Sequence, residues 1–161
     1  MLYAGLAVLG LVLLTGGGLY GYREYLRSKP APIWVPIALR VDMPLKEQES
    51  LAGKIEEKLR DDELLRQIVI DAKLREGFGV ATEDDAVEEL KRRMFVKAGR
   101  ADAPHGGTVP SINVGVDGTG REKKVLGDAA MRMVKDVWLM LGVDPETGKP
   151  MNAPDTPSVE F

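Results

Sequence analysis

The chain has 161 residues, 44% of them hydrophobic and 29% charged, which leaves room for one modest domain and an anchor but not for two full domains. Its formal net charge is −3 and it has no long basic stripe, which argues against binding to nucleic-acid phosphates. Since it has no cysteine and a single histidine, His105, the sequence excludes disulfides, cysteine nucleophiles, cysteine-ligated metals and mechanisms that need two histidines.

The first 22 residues carry no charged side chain. Leu2 to Tyr22 form an apolar run of 21 residues, and a helix rising about 1.5 Å per residue would span roughly 30 Å, the thickness of the hydrocarbon core. Tyr20 and Tyr22, followed by Arg23, stand where interfacial aromatic and basic residues are expected. The sequence therefore predicts a transmembrane anchor over residues 1–27, with these three side chains at the membrane interface.

A glycine triplet lies near the end of this run. Gly16, Gly17 and Gly18 would let a second membrane helix approach closely, so we expect a helix–helix contact there. The alternative is a cleaved signal peptide, which has a basic region before a shorter apolar run and a small-x-small cleavage site. No basic residue precedes Leu2 and the triplet is a weak cleavage candidate, so a retained anchor is favoured.

A proline-containing linker is predicted next, over residues 28–36 (SKPAPIWVP). Its three prolines prevent a helix and favour an extended, fairly stiff spacer. Trp34 within it is expected either at the membrane interface or packed on the domain. The α/β domain is predicted over residues 37–142 and begins with a short strand at Ile37–Val41.

Helical periodicity dominates the domain. In the first helix, Leu51, Ile55 and Leu59 recur every four residues with charges between them. Thr82 is a good N-cap for the third helix, and Asp85 completes a shortened capping box. The four helices predicted are Leu45–Leu59, Asp61–Arg75, the stretch that follows Thr82 as far as about Met94, and Glu122–Leu141.

The remaining segments predict a loop, a strand and a tail. Residues Gly99 to Thr108 are rich in Gly, Ala, Asp and Pro, which favours a mobile loop. Apolar side chains then alternate from Ile112 to Val116, which predicts a strand with one buried face. Residues 143–161 contain four prolines and no periodicity, so we expect a polar, extended tail that orders only on a partner.

The expected fold class is therefore α+β. A single N-terminal transmembrane helix precedes a small α/β domain of about four helices and a small sheet of two or more strands.

No pattern predicts catalysis, a cofactor or a metal site. The segment 117–120, Asp-Gly-Thr-Gly, follows a strand and precedes a helix, but Lys123 stands where Gly-x-Gly-x-x-Gly requires its last glycine, so we interpret it as a turn. His105 lacks metal-ligand partners at defined spacing. The acidic runs 61–63 and 83–85 lie at expected helix N-termini, where capping explains them. We expect no enzymatic activity and no cofactor.

Three stretches resemble one known family. The first, DELLRQIVIDAKLREGFGVA (62–81), is similar to a family segment in which a helix leads into a glycine-containing turn. The second, TEDDAVEELKRRMFVK (82–97), is similar to its capped helix and strand start, and the third, SINVGVDGTGREKKVLGDAAMRMVKDVWL (111–139), to its strand, Asp-containing turn and helix with paired small residues. Over about residues 37–141 the chain resembles the Wzz-type chain-length determinants, the polysaccharide co-polymerases.

The resemblance implies an assembly role in polysaccharide export and a domain outside the cytoplasm. Family members continue into long helices and a second, proline-containing membrane helix, whereas this sequence continues into a polar tail, so it resembles the membrane-proximal α/β portion. Arg23, Arg27 and Lys29 follow the apolar run, and the positive-inside rule alone would place the domain in the cytoplasm. We follow the resemblance and predict a single-pass protein of the inner membrane with a periplasmic domain.

Two functional hypotheses follow. The first is a non-catalytic interaction module whose partners are the lipid bilayer and copies of itself or other membrane subunits, with no nucleic acid. The second is an accessory structural subunit of a larger, unrelated membrane complex, since a fold alone does not fix a function. A homo-oligomeric ring favours the first hypothesis, and a single copy among different chains favours the second. An enzyme would need a pocket with perturbed titratable groups, which the sequence does not indicate.

Overall fold

The computed structural model describes residues 22, 24–25, 27–103, 106–147 and 151. These residues form an α+β domain with five helices and three strands, after a short helical stretch that includes Tyr22. In chain order the elements are β1 (Ile33–Ala38), α1 (Leu45–Leu59), α2 (Asp62–Asp71), α3 (Leu74–Phe78), α4 (Glu83–Arg93), β2 (Met94–Asp102), β3 (Thr108–Val116) and α5 (Lys123–Met140).

The sheet is antiparallel throughout, in the order β1-β3-β2. The central strand β3 places Val114 opposite Val35 on one side and Val96 on the other. Ile112, Val114 and Val116 are fully buried, which confirms the strand predicted from their alternation. Helices α1 and α5 pack on this inner face, while Trp34 on the outer face is half exposed.

One continuous core fills the space between the inner face and the helices. Burying a leucine, isoleucine or methionine side chain fully stabilises a fold by about 1.5–3 kcal/mol. The largest fully buried side chains are Leu59, Leu65, Ile68, Leu74, Leu90, Ile112, Leu126, Met133, Val69, Val114, Val116 and Val137.

Two helices confirm their predictions closely. Helix α1 spans Leu45–Leu59, the predicted bounds. Helix α4 begins with the predicted capping box, in which the Thr82 hydroxyl accepts a hydrogen bond from the Asp85 amide at 3.1 Å and the Asp85 carboxylate accepts one from the Thr82 amide at 3.2 Å. Two of the first backbone donors of this region thereby find acceptors.

The single helix predicted over Asp61–Arg75 is wrong, because the chain breaks between α2 and α3. Lys73 adopts a left-handed conformation with φ of 52°. A continuous helix would turn Leu74 away from the face shared by Leu65 and Ile68, because Leu74 lies nine residues after Leu65 and would point about 180° away from it. The break instead lets Leu74 become fully buried.

The predicted linker and first strand also need correction. Residues 33–36 were assigned to the linker and Ile37–Val41 to the strand, whereas β1 runs from Ile33 to Ala38. Pro36 lacks a backbone donor, but β1 is an edge strand, where proline is tolerated. Trp34 therefore belongs to the sheet and not to a free spacer.

The loop predicted over Gly99–Thr108 is largely a hairpin. Strand β2 continues to Asp102 and β3 begins at Thr108, so the connection is confined to residues 103–107. Pairing with the central strand outweighs the weak strand preference of glycine and alanine there. His105 lies outside the described residues.

Helix α5 lies one residue inside its predicted bounds at each end, and Gly142 ends it with a φ of 71°. Its buried face includes Ala129, Met133 and Val137, whereas Leu141, beyond its last turn, is 42% exposed.

Among the described residues, no helix is long and apolar enough to cross a membrane. The predicted anchor lies outside the described residues except near its end, where Tyr22 is 63% exposed. Gly16, Gly17, Gly18, Tyr20 and Arg23 lie outside as well. The anchor and its glycine contact therefore stay predictions.

Candidate functional site where the chain enters β1

A backbone ladder joins the chain before β1 to the turn after β3. The Ala31 amide donates to the Gly118 carbonyl at 2.7 Å, and the Arg121 amide donates to the Arg27 carbonyl at 3.1 Å. Between them, Pro30 and Thr119 form an isolated antiparallel bridge. We call residues 27–31 and 117–122 the junction. It continues the pairing of β1 with β3 beyond the sheet.

Side-chain contacts reinforce the junction from the helical residues that precede it in the chain. Arg121 forms an ion pair with Glu24, and the Lys29 ammonium lies 4.7 Å from the centre of the Tyr25 ring. Arg121 is 58% exposed, and exposed ion pairs contribute about 0–1 kcal/mol. The backbone ladder therefore contributes most of the coupling.

Hydrogen bonds stabilise the turn at residues 117–122. The Thr119 amide and hydroxyl both donate to Oε2 of Glu122 at 2.9 Å. The Asp117 amide donates to the Arg93 carbonyl at 2.9 Å. A Cβ at Gly118 would overlap the buried Leu126 side chain, so glycine is required for this close approach. The interpretation of residues 117–120 as a strand-to-helix turn is confirmed.

Arg93 lies at the centre of an ion-pair network behind this turn. Its guanidinium contacts Oε1 of Glu122 at 2.7 Å and Oε1 of Glu89 at 2.5 Å. The same guanidinium lies 4.7 Å from the centre of the Phe78 ring. The exposed side-chain fractions of Arg93, Glu89 and Glu122 are 23%, 19% and 15%, so the network is shielded from solvent more than a surface pair.

The network fixes the charges of its members. Burial alone would raise the pKa of Glu122, but hydrogen bonds from Arg93 and Thr119 outweigh it and hold the pKa below its ordinary value. Hydrogen bonding to Arg92 lowers the pKa of Glu89 against the effect of burial. Burial disfavours the charged form of Arg93, yet its two carboxylate partners raise the pKa. A general acid or base works best with a pKa near the working pH, so these carboxylates suit a structural role.

An open cleft of about 580 Å³ lies beside the junction. The three arginines that line it, Arg92, Arg93 and Arg121, are each paired with a glutamate. Across the described part of the chain, no cluster of three or more histidine, aspartate or glutamate side chains could hold a metal ion. Asp117 is the one lining side chain with a charge that has no ion pair among the described residues, so the cleft presents mostly paired charges.

Of the residues predicted at the membrane interface, the structure describes Tyr22 and Trp34. Tyr22 belongs to the helical stretch that leads into the junction. Trp34 lies on the outer face of β1, opposite Gly115. Sequence reasoning missed the junction itself, since residues 27–31 and 117–122 meet across about ninety residues of chain and the Asp-Gly-Thr-Gly pattern only marks a turn.

In comparisons with protein-family models, curated proteins and solved structures, nothing matches this chain.

Proposed function

We propose that the protein is a membrane-anchored, non-catalytic assembly module whose α/β domain is held close to the bilayer. The observation that carries the proposal is the junction. Its backbone ladder ties residues 27–31, which begin five residues after the charge-free N-terminal run, to the folded domain. A flexible linker would be enough to tether a domain. A segment that is hydrogen-bonded to the domain instead fixes the orientation of the domain relative to the preceding chain.

The partners in this proposal are copies of the same chain or other membrane subunits. Gly16, Gly17 and Gly18 provide the helix–helix contact within the bilayer. The ion-pair network around Arg93 keeps the domain end rigid, so an assembly of several copies would position their domains uniformly.

The specific version of the proposal is a domain of the chain-length determinant type, which acts in polysaccharide export from the periplasmic side of the inner membrane. Its support is the order of elements. Strand β1 is followed by helices, the capped helix α4, a strand that starts at Met94, and then β3, a turn and α5, which is the order of the segments that carry the resemblance.

The alternative is an accessory structural subunit of an unrelated integral membrane complex. The same junction supports it, because a clamp or spacer also needs a fixed orientation. Copy number separates the two functions.

The test is gentle detergent extraction of native membranes, followed by sizing and identification of every protein that travels with this chain. The proposal expects an assembly of several copies, or association with polysaccharide polymerisation proteins. Recovery of one copy within an unrelated membrane complex would establish the alternative. Recovery as a monomer without partners would contradict both.

A further inference from the structure

The outer face of the sheet carries an aromatic row at the junction end. Trp34 and Phe95 pair with Gly115 from its two sides. A methyl group on Gly115 would lie 2.7 Å from both Phe95 Cζ and Trp34 Cβ, so these two neighbours leave no room for a side chain between them. Trp34 is 50% exposed, and the helices that contact the sheet pack on its other face. An exposed tryptophan beside a second aromatic ring is typical of a contact surface.

Basic side chains lie beside this row and in the segments that adjoin it. Lys97 lies 5.1 Å from the centre of the Phe95 ring, and Lys29 and Arg27 lie in the adjoining junction. Lys123 and Lys124 begin α5 at the same end. All five are exposed, and none forms an ion pair with another described residue.

The acids at this end do not cancel that charge. Glu24 is paired with Arg121, and Glu122 with Arg93, which leaves Asp117 as the one exposed carboxylate of the junction without an ion pair among the described residues. Within the junction, two unpaired cations, Arg27 and Lys29, therefore stand against one unpaired anion, although the whole chain has a net charge of −3. Lys97 adds a third exposed cation beside the aromatic row, so this surface carries a local excess of positive charge.

We infer that this surface, Trp34, Phe95, Lys97, Lys29 and Arg27, docks on anionic lipid headgroups. The inference rests on the proposed function, because the anchor is what brings this end of the domain to the bilayer. Lysine and arginine close to a membrane are attracted by the negative surface potential of anionic lipids. Tryptophan with one apolar and one polar edge is favoured at headgroup depth. The domain is thus held against the bilayer by the junction and by its own lipid contact.

The test uses the full chain with Trp138→Phe, which leaves Trp34 as its only tryptophan. The chain is reconstituted into vesicles of phosphatidylcholine alone or of phosphatidylcholine with phosphatidylglycerol, each containing a lipid with a spin label at the headgroup. Quenching of Trp34 fluorescence is measured at low and high salt. Far-UV circular dichroism verifies that every variant is folded.

Lys29→Gln/Lys97→Gln removes two cations of the surface. Arg40→Gln/Lys46→Gln removes two exposed cations beyond the opposite end of β1 and is the matched control. We expect at least twofold stronger quenching in the phosphatidylglycerol vesicles at low salt, its loss at high salt, and its loss in the Lys29/Lys97 variant but not in the control.

Equal quenching in both kinds of vesicle, or an equal effect of the two double variants, would overturn the lipid contact. Vesicle flotation separates this failure from failure of the anchor. A chain that floats with the vesicles but shows no lipid preference overturns only the present inference. A chain that does not float with either kind of vesicle overturns the proposed anchor and with it the lipid contact.

Discussion

Arg93 and Glu122, 29 residues apart in the chain, form an ion pair with 2.7 Å between Nη1 and Oε1. It connects the last residue of α4 to the residue before α5. The second oxygen of the Glu122 carboxylate accepts the two hydrogen bonds from Thr119, so one side chain joins the turn of the junction to the helical layer.

The first prediction concerns Glu122→Gln. The change leaves the partly buried Arg93 with a weaker partner, and hydrogen bonds to charged groups contribute about 1.5–3 kcal/mol, so we expect the free energy of unfolding to fall by about 1–3 kcal/mol. Urea unfolding of the full chain in detergent micelles, followed by circular dichroism, measures it. Glu49→Gln, at an exposed site without an ion pair among the described residues, is the control and should change it by less than about 0.5 kcal/mol. Equal losses would contradict the role of the ion pair.

The lowered pKa of Glu122 predicts that the folded protein loses stability at acid pH. The folded pKa of Glu122 lies below its ordinary value of 4.5, so its stabilisation is complete above that value and is lost as the pH falls through the folded pKa. Glu89, with a lowered pKa, acts in the same direction. We expect the urea concentration at the unfolding midpoint to decrease as the pH is lowered below about 4.5. The decrease should be smaller in Glu122→Gln. An identical pH profile in the variant would show that other groups determine the acid response.

Gly118→Ala should lower the free energy of unfolding, whereas Gly127→Ala should raise it. A Cβ at Gly118 would overlap Leu126, and overpacking of this kind costs about 1–3 kcal/mol. Gly127 lies inside α5 with nothing within 4 Å of an added Cβ, so alanine should stabilise the helix by about 0.5–1 kcal/mol. Urea unfolding compares the two. Stabilisation by Gly118→Ala would mean that the turn of the junction is looser than its contacts indicate.

Short-range sequence patterns correctly predicted the helices and the strand whose formation depends mainly on neighbouring residues. The period of four in α1 gave its bounds, the capping box gave the start of α4, and the alternation from Ile112 to Val116 gave the buried face of β3. Each of these signals lies within one element, so no knowledge of distant contacts was needed.

Distant contacts explain the errors. Strand β2 has apolar residues at Met94 and Val96 but then runs through Ala98 and Gly99, and only its pairing with β3 makes it a strand. The break at Lys73 was hidden because the apolar spacing of α2 continues through Ala72, while the reason for the break is the burial of Leu74 in a core built by other elements. The junction, whose two halves meet only in the fold, had no sequence signal.

Ser50→Cys tests the proposed orientation. The chain has no cysteine, and Ser50 is exposed on α1, so this variant carries a single reactive thiol on the domain. A membrane-impermeant maleimide should label it in spheroplasts if the domain is periplasmic. Labelling only after the cells are lysed would place the domain in the cytoplasm, as the positive-inside rule predicts.

Gly17→Leu tests the helix–helix contact predicted for the glycine triplet. A leucine side chain would keep a neighbouring helix from approaching the backbone, so we expect smaller assemblies after detergent extraction. Ala7→Leu, at a position outside the triplet, is the matched control and should leave the assembly size unchanged. If Gly17→Leu also leaves the size unchanged, the assembly is held by the domain and not by the glycines.

The most direct test of the central claim, a domain fixed to the bilayer by an N-terminal anchor, is alkaline carbonate extraction of membranes that contain the full chain. Leu11→Asp/Leu13→Asp would place two charges in the span, each costing about 2.5–3.5 kcal/mol at the helix centre, and Leu11→Ile/Leu13→Ile is the apolar control. We predict that the original chain and the isoleucine variant remain in the membrane pellet and that the aspartate variant is released. Release of the original chain would contradict the account.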